Sequence, residues 1–264
     1  MFSFDVLQAE WTKLRTLRST HWLVLAIVAF TVLVGLAGTA GADVSHCPAP
    51  DRCFEDTPKL ALNGVRLAQV AVVVLAVLSI SAEYGTGTIL PTLTVVPRRG
   101  RVLAAKAIVL TGVTVASAVL ATLTCLLLGR HLLPDGGFTP ANGYPLLSPT
   151  DGPTLRATAG TVLYLALIAL LSLSVATIVR DTAGALTTVL ALLFILPILT
   201  EFISDPTWHD RLNRWSPMTA GLTIQVTVGV DHLKTTPWQG LSILTAYTLT
   251  ALLLATLTLT RRDA

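Results

Sequence analysis

The stretch EYGTGTILPTLTVVPRRGRVLAAK, residues 83–106, is a short basic segment rich in turn residues that separates two long apolar runs. The run before it carries no charged side chain from 67 to 82, and the run after it carries none from 107 to 129. About 20 apolar residues in a helix cross the ~30 Å hydrocarbon core of a bilayer. We therefore interpret both runs as membrane spans and the stretch between them as a loop at the membrane surface.

The charges of this stretch predict the orientation of the chain. Arg98, Arg99, Arg101 and Lys106 outnumber the single acid, Glu83, and short loops with such an excess of Lys and Arg stay in the cytoplasm. With six spans in this orientation, ten of the 18 Lys and Arg residues fall on the cytoplasmic side, but only five of the 15 Asp and Glu residues do. We expect both termini to be cytoplasmic.

The composition predicts an all-α integral membrane protein. Hydrophobic residues make up 53% of the 264 residues and charged residues only 12%, whereas soluble domains average about 25% charged residues. The mean hydropathy is +0.71. We expect one transmembrane domain, 1–264, without room for a separate soluble catalytic unit. Its six predicted spans cover approximately residues 21–40, 62–82, 102–129, 157–179, 184–204 and 238–260.

The loop between the second and third spans has the chemistry of a short ordered helix. Gly85 and Gly87 let the backbone leave the preceding helix, and Thr86 or Thr88 can cap a new helical turn. Pro97 then ends this turn before the arginines. We expect a short helix lying along the cytoplasmic face and anchored at both ends. The alternative is a basic loop that determines topology and contacts only lipid head groups.

A family resemblance lies in the same residues. Glu-Tyr-x-x-Gly-Thr at 83–88, Pro-Arg-Arg-x-Arg at 97–101 and Lys106 resemble the coupling region of type-2 ATP-binding-cassette (ABC) permeases, whose loop sits in a groove of the ATPase subunit. The resemblance covers nearly the whole chain. It implies that the residues coupled to the ATPase are Glu83, Tyr84, Gly85, Gly87, Thr88, Pro97, Arg98, Arg99 and Arg101.

The first 20 residues predict an amphipathic helix in the head-group layer. Four apolar residues follow the spacing of one helical face, and nearby basic residues can reach anionic lipid. The sequence AEWTKLRTLRST at 9–20 also resembles the N-terminal segment of many such permeases, in which this segment forms an interfacial helix beside the ATPase. A plain membrane-surface anchor is the alternative. The residues concerned are Phe4, Leu7, Trp11, Lys13, Leu14, Arg15 and Arg18.

The first apolar run is expected to be a retained span rather than a signal peptide, because its leader is long and contains acids and because more spans follow. Cys47 and Cys53, in the next loop, would lie in an oxidising compartment, where their short spacing favours a disulfide. Two free thiols are the alternative, and a metal site with His46 has too few ligands in this loop. The segment 214–221, RWSPMTAG, resembles the short helices that dip in from outside between spans five and six of type-2 permeases.

Several kinds of chemistry have no signature in the sequence. No Asp or Glu falls near the middle of a predicted span, where a proton relay would need one, and no Walker loop is present to bind ATP. No catalytic or metal-ligating constellation occurs, and no basic run interleaved with aromatics indicates nucleic acid. We expect a protein that is not an enzyme, holds no cofactor and draws its energy from a partner.

The resemblance implies the membrane subunit of an ABC exporter for a lipid-like, drug-like or peptide substrate. Two such subunits, identical or related, would form the pathway among the lipids of a bacterial plasma membrane. Two separate ATPase subunits, carrying ATP and Mg²⁺, would drive it. The alternatives are a non-transporting scaffold or sensor subunit and an ion-coupled carrier.

Overall fold

The computed structural model of the chain describes residues 4–44, 55–87, 99–142, 144, 147–148, 150–203 and 205–261. Helices and turns make up this part of the chain, and it contains no strand, which confirms the predicted all-α class. Six helices among these residues are long and apolar enough to cross a bilayer. The chain is therefore a multi-pass membrane protein.

The helices follow one another closely along the chain. A π-helical turn, Ala191–Ile195, joins α7 to α8, so these two helices form one span, Thr182–Glu201, that ends three residues before its predicted end. The other spans are α2, α4, α5, α6 and α11. The bounds are α1 (Phe4–Thr16), α2 (Arg18–Gly41), α3 (Thr57–Ala61), α4 (Val65–Gly85), α5 (Arg99–Leu132), α6 (Gly152–Val179), α7 (Thr182–Leu190), α8 (Leu196–Glu201), α9 (Pro206–Trp215), α10 (Pro217–Leu222) and α11 (Pro237–Arg261).

Helices α4 and α6 form the centre of the bundle. They pack against each other, and α6 also packs against α5 and α11. Tyr164 and Ile168 of α6 are fully buried, as are Val72 and Ala76 of α4. Because lipid is as apolar as these side chains, close van der Waals packing drives the association of such helices. By contrast, few residues of α2 and of the α7–α8 span are buried.

The connection between the fifth and last spans contains two short helices of different character. Helix α9 begins at the N-cap Asp205 and exposes its tryptophans. Helix α10 turns into the bundle, where Met218 and Leu222 join the main core. Gln225 follows in a 3₁₀ turn and donates from Nε2 to Thr161 Oγ1 at 3.1 Å. The chain therefore folds back into the bundle before the last span begins.

Helix α5 is longer than a perpendicular crossing requires. Its 34 residues extend about 51 Å at 1.5 Å per residue, against a hydrocarbon core of ~30 Å. Such a helix must tilt in the bilayer or project from it. The beginning of α5 contacts α1. The lengths of the apolar runs do not predict this contact.

A close contact between α10 and α11 generates a test of the bundle packing. A Cβ at Gly240 would lie 2.0 Å from the carbonyl oxygen of Ala220, whereas a Cβ at Gly112 of α5 would meet nothing within 4 Å. We expect Gly240→Ala to lower the free energy of unfolding by about 1–3 kcal/mol. The matched Gly112→Ala should raise it by about 0.5–1 kcal/mol. Thermal unfolding in detergent measures both, and equal stabilities would contradict this contact.

Candidate functional site

Four charged side chains from three helices meet near the end of α4 and the beginning of α5. Lys106 Nζ donates to Glu10 Oε2 (2.6 Å), to Glu83 Oε1 (3.0 Å) and to the carbonyl oxygen of Ser79 (2.9 Å). Lys13 Nζ donates to Glu10 Oε1 (2.9 Å) and to Glu83 Oε1 (3.0 Å). We call Glu10, Lys13, Glu83 and Lys106 the four-charge cluster. Its formal charge is zero.

Burial distinguishes this cluster from the other charges of the chain. Glu10, Glu83 and Lys106 are 2%, 8% and 3% exposed, and no other charged side chain is buried in the part of the chain that the structure describes. A buried charge is tolerated when it is paired and hydrogen-bonded. Each of the three N–H donors of Lys106 has an acceptor. Lys13 has a side chain that is 40% exposed and lies at the edge of the cluster.

Helical spacing explains how each element presents its side chain. Glu10 and Lys13 are three residues apart on α1, and Ser79 and Glu83 are four apart on α4, so each pair shares a helical face. Lys106 lies between the buried residues 103 and 110 on α5. The cluster therefore replaces apolar contacts where α1, α4 and α5 converge.

The pKa values of the two α1 groups show which interactions dominate. Burial by itself raises the pKa of Glu10, but the attraction of Lys106 and the hydrogen bonds from Lys106 and Lys13 outweigh it and lower this pKa. Burial lowers the pKa of Lys13, but its hydrogen bonds to Glu10 and Glu83 outweigh it and raise this pKa. Both groups therefore remain charged at neutral pH.

Within the first 20 residues a helix is observed at Phe4–Thr16, and its Glu10 and Lys13 contact charged residues of α4 and α5. Leu14 is buried beside Glu10 and Lys13, and Leu7 is half-buried. Trp11 is 49% exposed and faces away from the bundle. Arg15 and Arg18 are exposed, the latter as the first residue of α2, and Phe4 has no described side chain.

The loop residues that the resemblance singled out take several positions. Glu83 belongs to the four-charge cluster, and the Tyr84 ring lies 5.4 Å from Cζ of Arg180. Gly85 ends α4, and Gly87 adopts the left-handed conformation with φ 69°.

On the other side of the loop, Arg99 begins α5 and donates from Nη1 to the carbonyl oxygen of Leu259 at 3.0 Å. Arg101 lies two residues further along α5 and is half-buried. The predicted coupling helix and disulfide lie outside the described residues, and with them Thr88, Pro97, Arg98, Cys47 and Cys53.

Sequence reasoning did not assign a site role to Glu10 or to Lys106. Both were counted as charges on the cytoplasmic side, and both fell within stretches that carry the family resemblance, but neither was given a role of its own. A signal for Glu10 was present, because residues 7, 10 and 14 share one face of a helix and the acid therefore interrupts an apolar stripe. No comparable signal showed which residue on another helix would pair with it.

The four-charge cluster joins α1 to the end of α4 and to the beginning of α5. Among the described residues, no group of three or more His, Cys, Asp or Glu is placed to hold a metal ion. The sequence matches no family model, and no curated protein is similar to it. The function is therefore argued from this geometry.

Replacing Glu10 tests the four-charge cluster. Glu10→Gln leaves two lysines facing one carboxylate, so we expect the free energy of unfolding to fall by about 3 kcal/mol and hydrogen exchange in α1 to accelerate. Asp5→Asn, an exposed change on the same helix, should do neither. Glu10→Gln combined with Lys106→Gln restores neutrality and should cost less than the two single changes together. Strictly additive costs would contradict the cluster.

The directions of the two pKa shifts predict how the attachment of α1 through the four-charge cluster depends on pH. The contribution of Glu10 is complete above its ordinary pKa of about 4.3 and is lost as the pH falls through its lowered value. The contribution of Lys13 is complete below about 10.4 and is lost as the pH rises through its raised value. We therefore expect α1 to stay attached at neutral pH and to detach only in acid, below the ordinary pKa of a glutamate. Hydrogen exchange of residues 4–16, corrected for its intrinsic pH dependence, measures this, and Glu10→Gln should lack the acid transition.

Proposed function

We propose that this chain is the membrane subunit of an ATP-driven exporter of the type-2 ABC class. The observation that supports it best is the four-charge cluster. It fastens the N-terminal helix to the end of α4 and to the beginning of α5, on both sides of the 86–98 segment. This is the segment that the resemblance assigns to contact with an ATPase.

The four-charge cluster couples the movements of those three helices. Pulling α1 away from α4 and α5 would separate Glu10 from the buried ammonium group of Lys106 and Lys13 from the buried carboxylate of Glu83. Breaking a buried ion pair in this way costs about 3–5 kcal/mol. A force applied by an ATPase to the 86–98 segment or to α1 would therefore reach the two spans instead of displacing α1 alone.

The helices beyond the cluster are suited to carry this movement. Helix α5 continues without interruption from Arg99 to Leu132, and α4 packs along the central helix α6. At the end of α4, the left-handed conformation of Gly87 turns the chain out of the helical path. The 86–98 segment would thus be joined to α4 through the turn at Gly87 and to the bundle on its other side through α5.

The proposed orientation places both termini, α1 and the 86–98 segment in the cytoplasm, since short basic segments are retained there. Helices α9 and α10 would lie at the outer side. Two copies of this chain, or one copy and a related chain, would form the pathway in a bacterial plasma membrane. Two ATPase subunits with bound ATP and Mg²⁺ would drive export of a lipid-like, drug-like or peptide substrate.

The positions of the buried acids favour an external energy source over an ion gradient. Glu10 and Glu83 are the buried acids of the described residues, and each is paired with lysines at one end of the bundle. A proton-coupled carrier needs a titrating carboxylate along its pathway. A scaffold or sensor subunit would keep the same cluster but would not alter ATP turnover.

Gly87 provides a test that leaves the packed core intact. A Cβ there meets nothing within 4 Å, but φ is 69°, which costs a β-branched residue about 1–2 kcal/mol. We expect Gly87→Val to reduce the chain's stimulation of its ATPase by about tenfold, which corresponds to that strain. Glu83→Gln should abolish stimulation, with membrane insertion retained in both variants. The measurement is ATP hydrolysis in vesicles that contain this chain and the ATPase that co-purifies with it.

The matched control is Gly41→Val, because Gly41 also faces open space and has no positive φ. It should leave ATP hydrolysis unchanged. If no nucleotide hydrolase co-purifies with the chain, the exporter proposal fails. If one does and its turnover is the same with Gly87→Val and Glu83→Gln, the scaffold function is favoured.

A further inference from the structure

Two neighbouring cavities are both lined by Trp215, and the second extends from Trp215 along α6 and α11. The first has a volume of about 540 Å³ and is lined by polar and basic residues of α9 together with Lys234. The second, of about 620 Å³, is an apolar groove between α6, the α7–α8 span and α11. Trp215 is 60% exposed at their junction. A molecule with a charged end and an apolar end could occupy both.

The first cavity has an excess of positive charge. Arg211, Arg214 and Lys234 face one acid, Asp210. Lys234 is ion-paired with Asp210, and the hydrogen bond from Lys234 lowers the pKa of Asp210. This carboxylate therefore stays ionised at neutral pH and neutralises Lys234. The two arginines account for the remaining charge of the cavity.

The arginines are positioned to receive an anion. Arg214 Nη2 donates to the carbonyl oxygen of Lys234 at 2.7 Å, and Cζ of Arg211 lies 5.7 Å from the centre of the Trp208 ring. Neither guanidinium has a carboxylate partner among the residues that the structure describes. Both are exposed, and guanidinium groups match the oxygen atoms of phosphate in bidentate geometry.

The groove has the dimensions and chemistry of an acyl-chain site. It follows α11 from Ser242 to Leu254, a rise of about 18 Å, whereas one leaflet of the hydrocarbon core is about 15 Å deep. The hydroxyl group of Tyr247 donates to the carbonyl oxygen of Trp215 at 3.2 Å. The remaining lining is largely aliphatic, including Leu171, Val175, Leu192 and Ile243. Such a surface offers little to a sugar or a peptide backbone.

We propose that the two cavities together bind one membrane phospholipid with an anionic head group. Its phosphate would contact Arg211 and Arg214, and one acyl chain would lie in the groove along α11. Trp215 would lie between them at the level of the head groups, where tryptophan is enriched in membrane proteins. A zwitterionic lipid would be held less well, because its own cation faces the arginines. This inference does not depend on the proposed export function.

The head-group contact is tested by lipid competition. The purified full chain in detergent is given equal amounts of phosphatidylglycerol and phosphatidylcholine, and native mass spectrometry counts the lipids that it retains. We expect the unmodified chain to prefer phosphatidylglycerol. Arg211→Gln with Arg214→Gln should lower its retention by about fivefold for each arginine. Arg130→Gln, an exposed arginine at the end of α5, is the matched control and should change nothing.

The acyl-chain contact is tested with all charges intact. Ala246 is exposed and lines the groove, so Ala246→Trp should fill it and lower the retention of both lipids. Ala116→Trp, at an exposed position of α5 that lines neither cavity, is the control and should have no such effect. Equal retention of the two lipids by the unmodified chain would overturn the proposal. So would an unchanged preference in the arginine variant or unchanged retention by Ala246→Trp.

Discussion

The pairing of the Lys106 ammonium group determines how the N-terminal part of this protein is assembled. A lysine that is 3% exposed must have acceptors for its protons, since burying a charge without a partner costs several kcal/mol of folding free energy. Its acceptors come from α1 and α4. This requirement links the three helices to one another at this place.

The rest of the bundle is held differently. Helices α4 and α6 pack through uncharged side chains, and the hydroxyl group of Tyr164 in α6 donates to Gln69 Oε1 in α4. The last helix, α11, links the two ends of the molecule. Near its end, the carbonyl oxygen of Leu259 accepts from Arg99 at the beginning of α5, and nearer its start the same helix lines the proposed lipid groove. Movement of α5 could therefore change the shape of that groove, because both contacts involve one rigid helix.

Sequence reasoning succeeded where one local pattern decides the outcome. Apolar runs of about 20 residues predict spans, and the described residues contain six helices long and apolar enough to cross a bilayer. Sequence reasoning did not predict the partners of α1, whose Glu10 and Lys13 contact charged residues of α4 and α5, because the pairing of charges on distant helices is not a local property of the sequence.

The amino-acid sequence by itself determined that the chain is helical and crosses a membrane several times, because length and hydropathy of a segment are local properties. It also indicated the charged stretch that separates the second and third spans. Only the tertiary structure decided that Glu10 pairs with Lys106, 96 residues away, and that Trp215 lies between a basic cavity and an apolar groove. Both depend on which helices become neighbours, and that is decided by the packing of the whole bundle.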